Sequence, residues 1–395
     1  MRLWGNILGG GLVLAAIVLL GISIYNQKKA TNEQHFSNYT LLMSSWDKYK
    51  SQFVDTTGRV VDHGAESITT SEGQSYALLR SVWADDRTTF DKVWRWTVNN
   101  LRREEDNLFG WKWAVGPDGL GGFVDQGGGN SASDADNDIA YALILASRRW
   151  NDSTYLTEAQ KIINDIWEKE TVSYKDKRYL VAGNWAITQT EAVINPSYFV
   201  FYAWREFAKI DADHDWMKLV DSSYEILSAA TTRSLDKNAS GGLPPNWFIL
   251  NLKNGEVLPS EEDGMNTNYS YDAVRVPWRV SYDYQASMDP RAYQYLSLNF
   301  ESLKKYYQEF GHLPSVWAHD GKPMSKVENP VMYATALSVF AQTDKEMARR
   351  LYEEKIINLY ALDRSNFRED LPYYEQNWLW FGVALFNQNL AWNEN

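Results

Sequence analysis

Three short segments of the sequence each place a carboxylate among small, polar and aromatic residues. The carboxylates are Glu72, Asp134 and Asp272. A carboxyl group can donate a proton to a leaving group or, when ionised, take one from water, so acid–base catalysis is the chemistry that these residues could perform. The alternative for each acid is a structural role as a helix cap or an ion-pair partner.

Other kinds of catalytic chemistry find little support in the sequence. The five His residues form no HExxH pair, and no GxSxG nucleophile motif is present. Asp134, Asp136 and Asp138 alternate as the ligands of a calcium loop do, but Ile139 stands where that loop requires Gly. We therefore expect neither a metal ion nor a cofactor.

The composition favours an aromatic-rich globular protein with a neutral or cationic ligand. The chain of 395 residues carries a net charge of −12, which repels nucleic acid and other polyanions. Its 18 Trp and 24 Tyr residues offer flat faces beside polar atoms, and sugar rings stack on such faces. Because the chain has no Cys, disulfides and thiolate metal sites are excluded.

The N-terminal segment is predicted to be a membrane anchor. Residues 3–27 contain no charge, and residues 7–25 form an almost continuous apolar run that is long enough to cross a bilayer as one transmembrane helix. A cleaved signal peptide is the alternative, but the residues after the run offer a poor cleavage site. Basic residues flank both ends, so charge does not determine the orientation. We assign residues 1–34 to the anchor and a polar linker, and residues 35–395 to one globular domain.

Helical periodicity recurs through the rest of the chain, and no strong strand pattern interrupts it. Without an internal sequence repeat, this pattern indicates a helical ring or bundle rather than a solenoid. Two long loops, 102–133 and 232–288, are rich in Gly, Asn, Asp and aromatic residues, and we expect them to be ordered and functional. The predicted helices cover residues 38–53, 72–84, 86–101, 135–150, 155–170, 194–208, 214–230, 289–309, 331–344, 346–361 and 374–390.

The segments around the three carboxylates resemble glycoside hydrolase family 8. The middle segment runs on to Trp150 and matches the signature of that family at every constrained position. Further matching segments are 58–60, 195–199 and 242–247, so the resemblance covers residues 40–390. It implies an all-α fold, an (α/α)6 barrel, which agrees with the predicted helices.

The resemblance also implies a role for each carboxylate. In an inverting glycoside hydrolase one carboxylic acid protonates the glycosidic oxygen while a carboxylate on the other face of the sugar activates water, the two lying about 6.5–9.5 Å apart. By position in the motifs Glu72 is the acid, Asp272 is the base, and Asp134 binds the distorted sugar at the central subsite. An Asp at position 272 favours the glucanase and xylanase branch, because chitosanases of the family generally use a carboxylate elsewhere.

The local sequence sets conditions on these acids. Ser71 resembles an N-cap, which puts Glu72 in the first turn of a helix, where the helix dipole favours the ionised form. A general acid must keep its proton, so we expect burial and the nearby Asp134 to raise the pKa of Glu72. We interpret Asp136 and Asp138 as structural residues that bind backbone or Arg groups.

Sugar-binding side chains are expected in the segments near the carboxylates. Aromatic rings there can stack on sugar rings, although core packing is their competing use. Two of the candidates flank the proposed base and could orient it. The predicted substrate-binding residues are Trp111, Trp113, Trp185, Tyr198, Tyr271 and Arg275.

We interpret the sequence as an endo-acting β-1,4-glucanase, or cellulase. Its anchor and signature residues resemble the hydrolase that accompanies bacterial cellulose synthesis, which implies a single-pass membrane protein with an extracellular catalytic domain and an exopolysaccharide synthase complex as a candidate partner. A form secreted after signal-peptide cleavage is the alternative location. Xylanase, mixed-linkage glucanase and chitosanase are the alternative activities within the family. The alternative of another class is a catalytically idle, polysaccharide-binding scaffold.

Overall fold

The structure, a computed structural model, describes residues 39–260, 262, 264–361, 366–388 and 390. Its helices in chain order are α1 (39–53), α2 (Ser71–Trp83), α3 (Arg87–Leu101), α4 (Ser133–Trp150), α5 (Ser153–Lys169), α6 (Phe201–Ile210), α7 (Trp216–Thr232), α8 (Val276–Ser287), α9 (Pro290–Leu298), α10 (Glu301–Phe310), α11 (Pro330–Thr343), α12 (Lys345–Leu351) and α13 (Tyr373–Phe386). The strands are β1 (Thr69–Thr70), β2 (Lys112–Val115), β3 (Gly121–Phe123), β4 (Thr171–Tyr174), β5 (Lys177–Leu180), β6 (Glu191–Ile194), β7 (Phe248–Asn251) and β8 (Val257–Leu258).

Six of these helices form a closed ring. Helices α2, α4, α6, α8, α11 and α13 each pack against the next, and α13 returns to α2, where the Tyr76 ring packs edge-on against Trp378 and Phe381. Helices α3, α5, α7, α9 and α12 each pack outside the inner helix that they follow. Helix α1 covers the junction of α13 and α2, since Trp380 Nε1 donates to Leu42 O at 2.9 Å. The predicted helical ring is thereby confirmed for the described residues.

Three small antiparallel sheets lie in the loops between helices. Their strand orders are β1-β2-β3, β4-β5 and β6-β7-β8. The all-α prediction is therefore right for the ring and incomplete for the loops. Strands of two to four residues are too short to show the alternation by which a strand is recognised in a sequence.

The outer and inner helices differ in the spacing of their apolar residues. Outer helix α5 buries Ala159, Ile162 and Ile166, a spacing of three and four residues that marks one face of a helix. The inner helices are enclosed on all sides, and α11 is buried continuously from residue 331 to residue 340. Periodicity thus predicts the outer helices, whereas long apolar runs predict the inner ones.

The predicted helices differ from the observed ones in two places, and each difference has a physical reason. Helix α8 lies inside the predicted loop 232–288, because its buried side chains include Arg279 and Asp283 and give it no apolar face in the sequence. The predicted helix 289–309 is two helices, α9 and α10. Phe300 between them has a left-handed backbone with a φ of 65°, which an α-helix cannot contain.

All six inner helices begin at the same end of the ring. Contacts between these starts show it: Asn329, the N-cap of α11, donates to Glu375 in the first turn of α13, and Arg275 ahead of α8 donates to Ser197 ahead of α6. The start of α2, the start of α4 and the segment ahead of α8 therefore meet at this end. These are the elements that carry the three carboxylates.

The predicted transmembrane helix and linker, residues 1–34, lie outside the described residues. Among the helices that the structure does describe, none has both the length and the apolar character of a bilayer-crossing segment. The anchor therefore stays a prediction, and so does the division of the chain at residue 35.

Candidate active site

A buried guanidinium joins the three carboxylates. Arg275 directly precedes α8, and its side chain is only 2% exposed. Its Nη1 donates to Glu72 Oε2 at 2.6 Å and to Asp134 Oδ2 at 2.9 Å, while its Nη2 donates to Asp272 Oδ1 at 3.0 Å. Nη2 also donates to Ser197 Oγ at 2.7 Å. The structure thus brings the three predicted acids together, and Arg275 contacts all of them rather than Asp272 alone.

Glu72 lies in the first turn of α2, as the sequence predicts, but the N-cap is Thr70 and not Ser71. Thr70 has the extended backbone of a cap, and its hydroxyl accepts a hydrogen bond from Gly73 N at 3.0 Å. Ser71 is the first helical residue, and its N–H donates to Trp111 O at 3.1 Å. This contact joins the start of α2 to the loop that follows α3.

Glu72 retains its proton to near-neutral pH. Burial raises the pKa of Glu72 to about 7, the charge of Arg275 opposes this rise, and the charges of Asp134 and Asp272 add to it. The predicted rise in pKa is therefore confirmed. Since 25% of the side chain remains exposed, the carboxyl group is also accessible. An accessible acid with a pKa near 7 is suited to general acid catalysis.

Asp134 is buried at the start of α4. Its Oδ2 accepts the hydrogen bond from Arg275, whereas Oδ1 accepts no hydrogen bond of good geometry within the described residues. Burial raises the pKa of Asp134, and the charges of Arg275 and Arg279 oppose that rise. A buried acceptor without a donor costs free energy, so a purely structural role does not explain a carboxylate at this position.

Asp272 has a hydrogen-bond donor on each carboxylate oxygen. Oδ1 accepts from Arg275, and Oδ2 accepts from Trp247 Nε1 at 3.1 Å. The segment that carries Asp272 is fixed by Asn246, whose side-chain oxygen accepts from Ala273 N at 2.9 Å. Two donors from different elements therefore hold this partly exposed carboxylate in one orientation.

Asp136 and Asp138 have the structural roles that the sequence predicts. The two carboxylate oxygens of Asp138 accept from Arg279 at 2.6 and 2.7 Å, and both side chains are buried. Asp136 Oδ1 accepts from Phe109 N at 2.9 Å. The first of these contacts fixes α4 to α8 beside the carboxylate cluster.

Three of the predicted sugar-binding aromatics have exposed rings, namely Trp111, Trp185 and Tyr271. Trp185 follows Asn184, whose side chain accepts from Ser131 N at 2.8 Å in the segment that leads into α4. The Tyr374 hydroxyl donates to Tyr271 O at 2.6 Å, which joins the start of α13 to the segment ahead of α8. All three rings therefore border the end of the helical ring where the carboxylates meet.

The other two predicted aromatics lie deeper in the protein. Tyr198 is half-buried, with its ring centroid 5.2 Å from the Arg275 guanidinium, so it contacts the carboxylate cluster directly. Trp113 is only 7% exposed, and it packs between the Arg59 guanidinium, 4.6 Å from its centroid, and the Trp96 ring, 5.1 Å away. The prediction that Trp113 stacks on sugar is wrong, because core contacts cover its ring.

Three side chains that the sequence does not single out also contact the cluster, namely Tyr76, Ser197 and Trp247. Trp247 binds the proposed base and packs edge-on against Tyr198, with 5.9 Å between the centroids. Ser197 and Trp247 lie in the matching segments 195–199 and 242–247. The two segments could therefore be recognised in the sequence as matching the family. The contacts of Ser197 and Trp247 with the cluster could not, because they form only when the helical ring closes.

A family model matches most of the chain. Residues 17–366 match the model described as Glycosyl hydrolases family 8. The chain belongs to glycosyl hydrolase family 8. This finding confirms the resemblance carried by the three acidic segments, and it covers every residue of the cluster around Arg275.

Several proteins named endoglucanase are similar to the chain in sequence or in fold. An endoglucanase from Cellulomonas uda is 30% identical over 241 residues, which are 60% of this chain and 63% of that protein, so the chain spans less than two thirds of that relative. An endoglucanase from Escherichia coli strain K12 is 26% identical over 85% of this chain and 86% of that protein. The crystal structure of a family 8 endoglucanase from Klebsiella pneumoniae has a TM-score of 0.68 and 25% identity, covering 87% of this chain and 99% of that one.

Proposed function

We propose that the protein is an inverting, endo-acting glycoside hydrolase that cleaves β-1,4-glucan. The observation that carries this proposal is the buried Arg275, which holds Glu72, Asp134 and Asp272 together at one end of a family 8 helical ring. Relatives named endoglucanase supply the substrate class and the endo action. Glu72 is the general acid, Asp272 the general base, and Asp134 the residue that binds the sugar at the central subsite.

The raised pKa of Glu72 suits its role as the general acid. Glu72 keeps its proton to a pKa of about 7 and can give it to the glycosidic oxygen as the bond breaks. Asp272 receives a proton from the attacking water on the other face of the sugar, which inverts the anomeric carbon. As one carboxyl group loses a proton the other gains one, so the net charge around Arg275 is the same before and after the reaction. The buried counter-ion therefore needs no rearrangement during the reaction.

Asp134 and the exposed aromatic rings provide the binding energy in this proposal. Asp134, which Arg275 holds beside Glu72, binds a sugar hydroxyl, a hydrogen bond that strengthens as positive charge develops on the ring. Trp111, Trp185 and Tyr271 border the cluster and stack on sugars on either side of the cleaved bond. Tyr198 lies against Arg275 and helps to fix the guanidinium.

The alternative activities rest on weaker observations. A β-1,3-1,4-glucanase from Paenibacillus has a TM-score of 0.74 at 22% identity, and a cold-adapted family 8 xylanase has 0.67 at 17%, which shows a shared fold alone. Chitosanase is disfavoured because position 272, where the glucanase and xylanase branch has its general base, is occupied by an Asp. This Asp accepts hydrogen bonds from Arg275 and Trp247. An idle scaffold would have no need of three carboxylates on one buried Arg275.

A substrate panel tests this proposal. The purified protein is incubated with carboxymethylcellulose, lichenan, xylan and chitosan, beside a Glu72→Gln control. We expect reducing ends from carboxymethylcellulose together with a rapid fall in viscosity, as cleavage within the chain requires, and none from the control. Reducing ends from xylan alone or chitosan alone would show that this polymer, and not β-1,4-glucan, is the substrate. No reducing ends from any polymer would favour the non-catalytic scaffold.

We also propose that residues 1–34 anchor the protein in the cell membrane with the catalytic domain outside. The support is the uncharged apolar run and the extracellular location of a glucan too large to enter the cell. An exopolysaccharide synthase complex at the same membrane is the candidate partner. Membrane fractions should retain the full-length protein in high salt and release it in detergent, whereas release by salt alone would contradict the anchor.

A further inference from the structure

Two fully buried carboxyl groups face each other behind the carboxylate cluster. Asp136 lies in the first turn of α4, and Glu170 is the C-cap that directly follows α5. Asp136 Oδ1 accepts from Phe109 N at 2.9 Å, and Glu170 Oε1 accepts from Ser131 Oγ at 2.6 Å. Each carboxyl group acts electrostatically on the other, and neither Asp136 Oδ2 nor Glu170 Oε2 has a hydrogen-bond partner within the described residues. Two ionised carboxylates fully buried beside each other, each with an oxygen that no group solvates, would be strongly unfavourable, so at least one of the two holds a proton.

Within the described part of the chain, neither acid of this pair forms an ion pair with a cation. Asp134 and Asp106 are the neighbouring acids, and both add negative charge. The nearby cations, Arg103 and Lys169, both bind Asp106, at 3.0 Å each. Burial raises the pKa of Glu170 to about 8, and burial with the repulsion of Glu170 raises the pKa of Asp136 well above its usual value. The pair therefore stays protonated at neutral pH.

The acid pair fastens two loops that carry exposed Trp residues. Asp136 binds the backbone of Phe109, two residues before Trp111. Glu170 binds the Ser131 hydroxyl, which in turn accepts from Asn184 N at 3.0 Å. Asn184 is followed by Trp185, the second exposed Trp at this rim. The pair thus lies at the meeting point of both loops with the start of α4.

We propose that Asp136 and Glu170 share a proton that holds the Trp111 and Trp185 loops in place, which makes Glu170 a positioning residue for the glucan chain. This inference rests on the proposed function, in which both rings bind sugar. Loss of the proton would place two buried negative charges beside each other, and the loops would separate. Sugar binding would then weaken as a rise in KM, in addition to the fall in kcat that follows when Glu72 loses its proton at lower pH.

Two substitutions of Glu170 distinguish the effect of the shared proton from the effect of losing the side-chain contacts. In Glu170→Gln the amide N–H donates to Asp136 and the carbonyl accepts from Ser131, so both contacts survive without a titrating pair. We expect the KM for cellohexaose near pH 7 to stay within about twofold of wild type. Glu170→Ala removes both contacts and should raise KM by about tenfold with a smaller change in kcat. The matched control is Glu168→Gln, at an exposed position in the last turn of α5, two residues before Glu170.

A second readout follows the stability of the fold with pH. The folded protein keeps a proton that the unfolded chain releases above the ordinary pKa of a carboxyl group, so the stability contribution of the pair is lost as pH rises to about 8. The Tm of the wild type should therefore fall over this range, and Glu170→Gln should flatten that fall, whereas Glu168→Gln should not.

Two results would overturn the inference. One is a KM for Glu170→Gln as high as that of Glu170→Ala near pH 7, and the other is the same dependence of Tm on pH in wild type and Glu170→Gln. Absence of hydrolysis in every variant, wild type included, would refute the proposed function instead. In that case the dependence of Tm on pH still decides whether the acid pair shares a proton.

Discussion

Glu72→Gln should lower kcat for cellohexaose by about 10³-fold or more while KM changes little. Gln has nearly the shape of Glu and can still accept the hydrogen bond from Arg275 Nη1, so the fold and the sugar contacts should persist. What the variant lacks is the acidic proton that the glycosidic oxygen needs as it leaves. Steady-state kinetics on a defined oligosaccharide separate the loss in kcat from any loss of binding.

The leaving group distinguishes a general acid from every other role for Glu72. An aryl cellotrioside with a 2,4-dinitrophenolate leaving group needs no protonation, so Glu72→Gln should hydrolyse it at a rate close to that of wild type. Asp272→Asn, the matched control, should be slow on both substrates, because water activation is still required. Wild-type activity on cellohexaose should also fall as pH rises through about 7, where Glu72 loses its proton. Equal defects of Glu72→Gln on both substrates would contradict its role as the acid.

Arg275→Met should abolish measurable hydrolysis and lower the free energy of unfolding by about 3–5 kcal/mol. The substitution leaves Glu72, Asp134 and Asp272 close together without their common cation. Removal of this positive charge raises the pKa of the Glu72 and Asp134 carboxyl groups further, so protonation relieves the repulsion at low pH. The deficit in stability relative to wild type should therefore be smaller near pH 5 than near pH 8, as measured by urea unfolding.

Arg349→Met is the control for this prediction. Arg349 is exposed and pairs with Glu353 one turn further along the chain, a type of ion pair that contributes less than about 1 kcal/mol. Its loss should leave both activity and the pH dependence of unfolding unchanged. If Arg275→Met showed the same deficit at both pH values, the guanidinium would not be the counter-ion of the cluster.

The cluster of Glu72, Asp134 and Asp272 could be predicted from the sequence to a large extent. Glu72, Asp134 and Asp272 each lie in a short segment with an unusual mixture of small, polar and aromatic residues, and the helical pattern is compatible with a ring that brings the segments together. The extent of the contacts of Arg275 could not be predicted, because they span residues more than 140 positions apart along the chain. The same applies to Trp247, whose bond to Asp272 depends on the fold of two loops.

The errors in the prediction have local physical reasons. Helix α8 is hidden in the sequence because its inward-facing residues include Arg279 and Asp283, which are paired with groups on other helices. Trp113 is an aromatic residue next to the predicted cleft, and only its tertiary contact with Arg59 and Trp96 shows that it belongs to the core. Thr70 and Ser71 are both acceptable N-caps, and only the backbone conformation separates them.

The anomeric form of the first product tests the roles of Glu72 and Asp272 most directly. Cellohexaose is hydrolysed with a high concentration of enzyme, and ¹H NMR spectra are recorded before mutarotation equilibrates the new reducing end. We expect the α-anomer to appear first, because water activated by Asp272 attacks the face opposite to the leaving group that Glu72 protonates. Initial formation of the β-anomer would contradict this assignment, since retention requires a nucleophile and a covalent intermediate in place of the base.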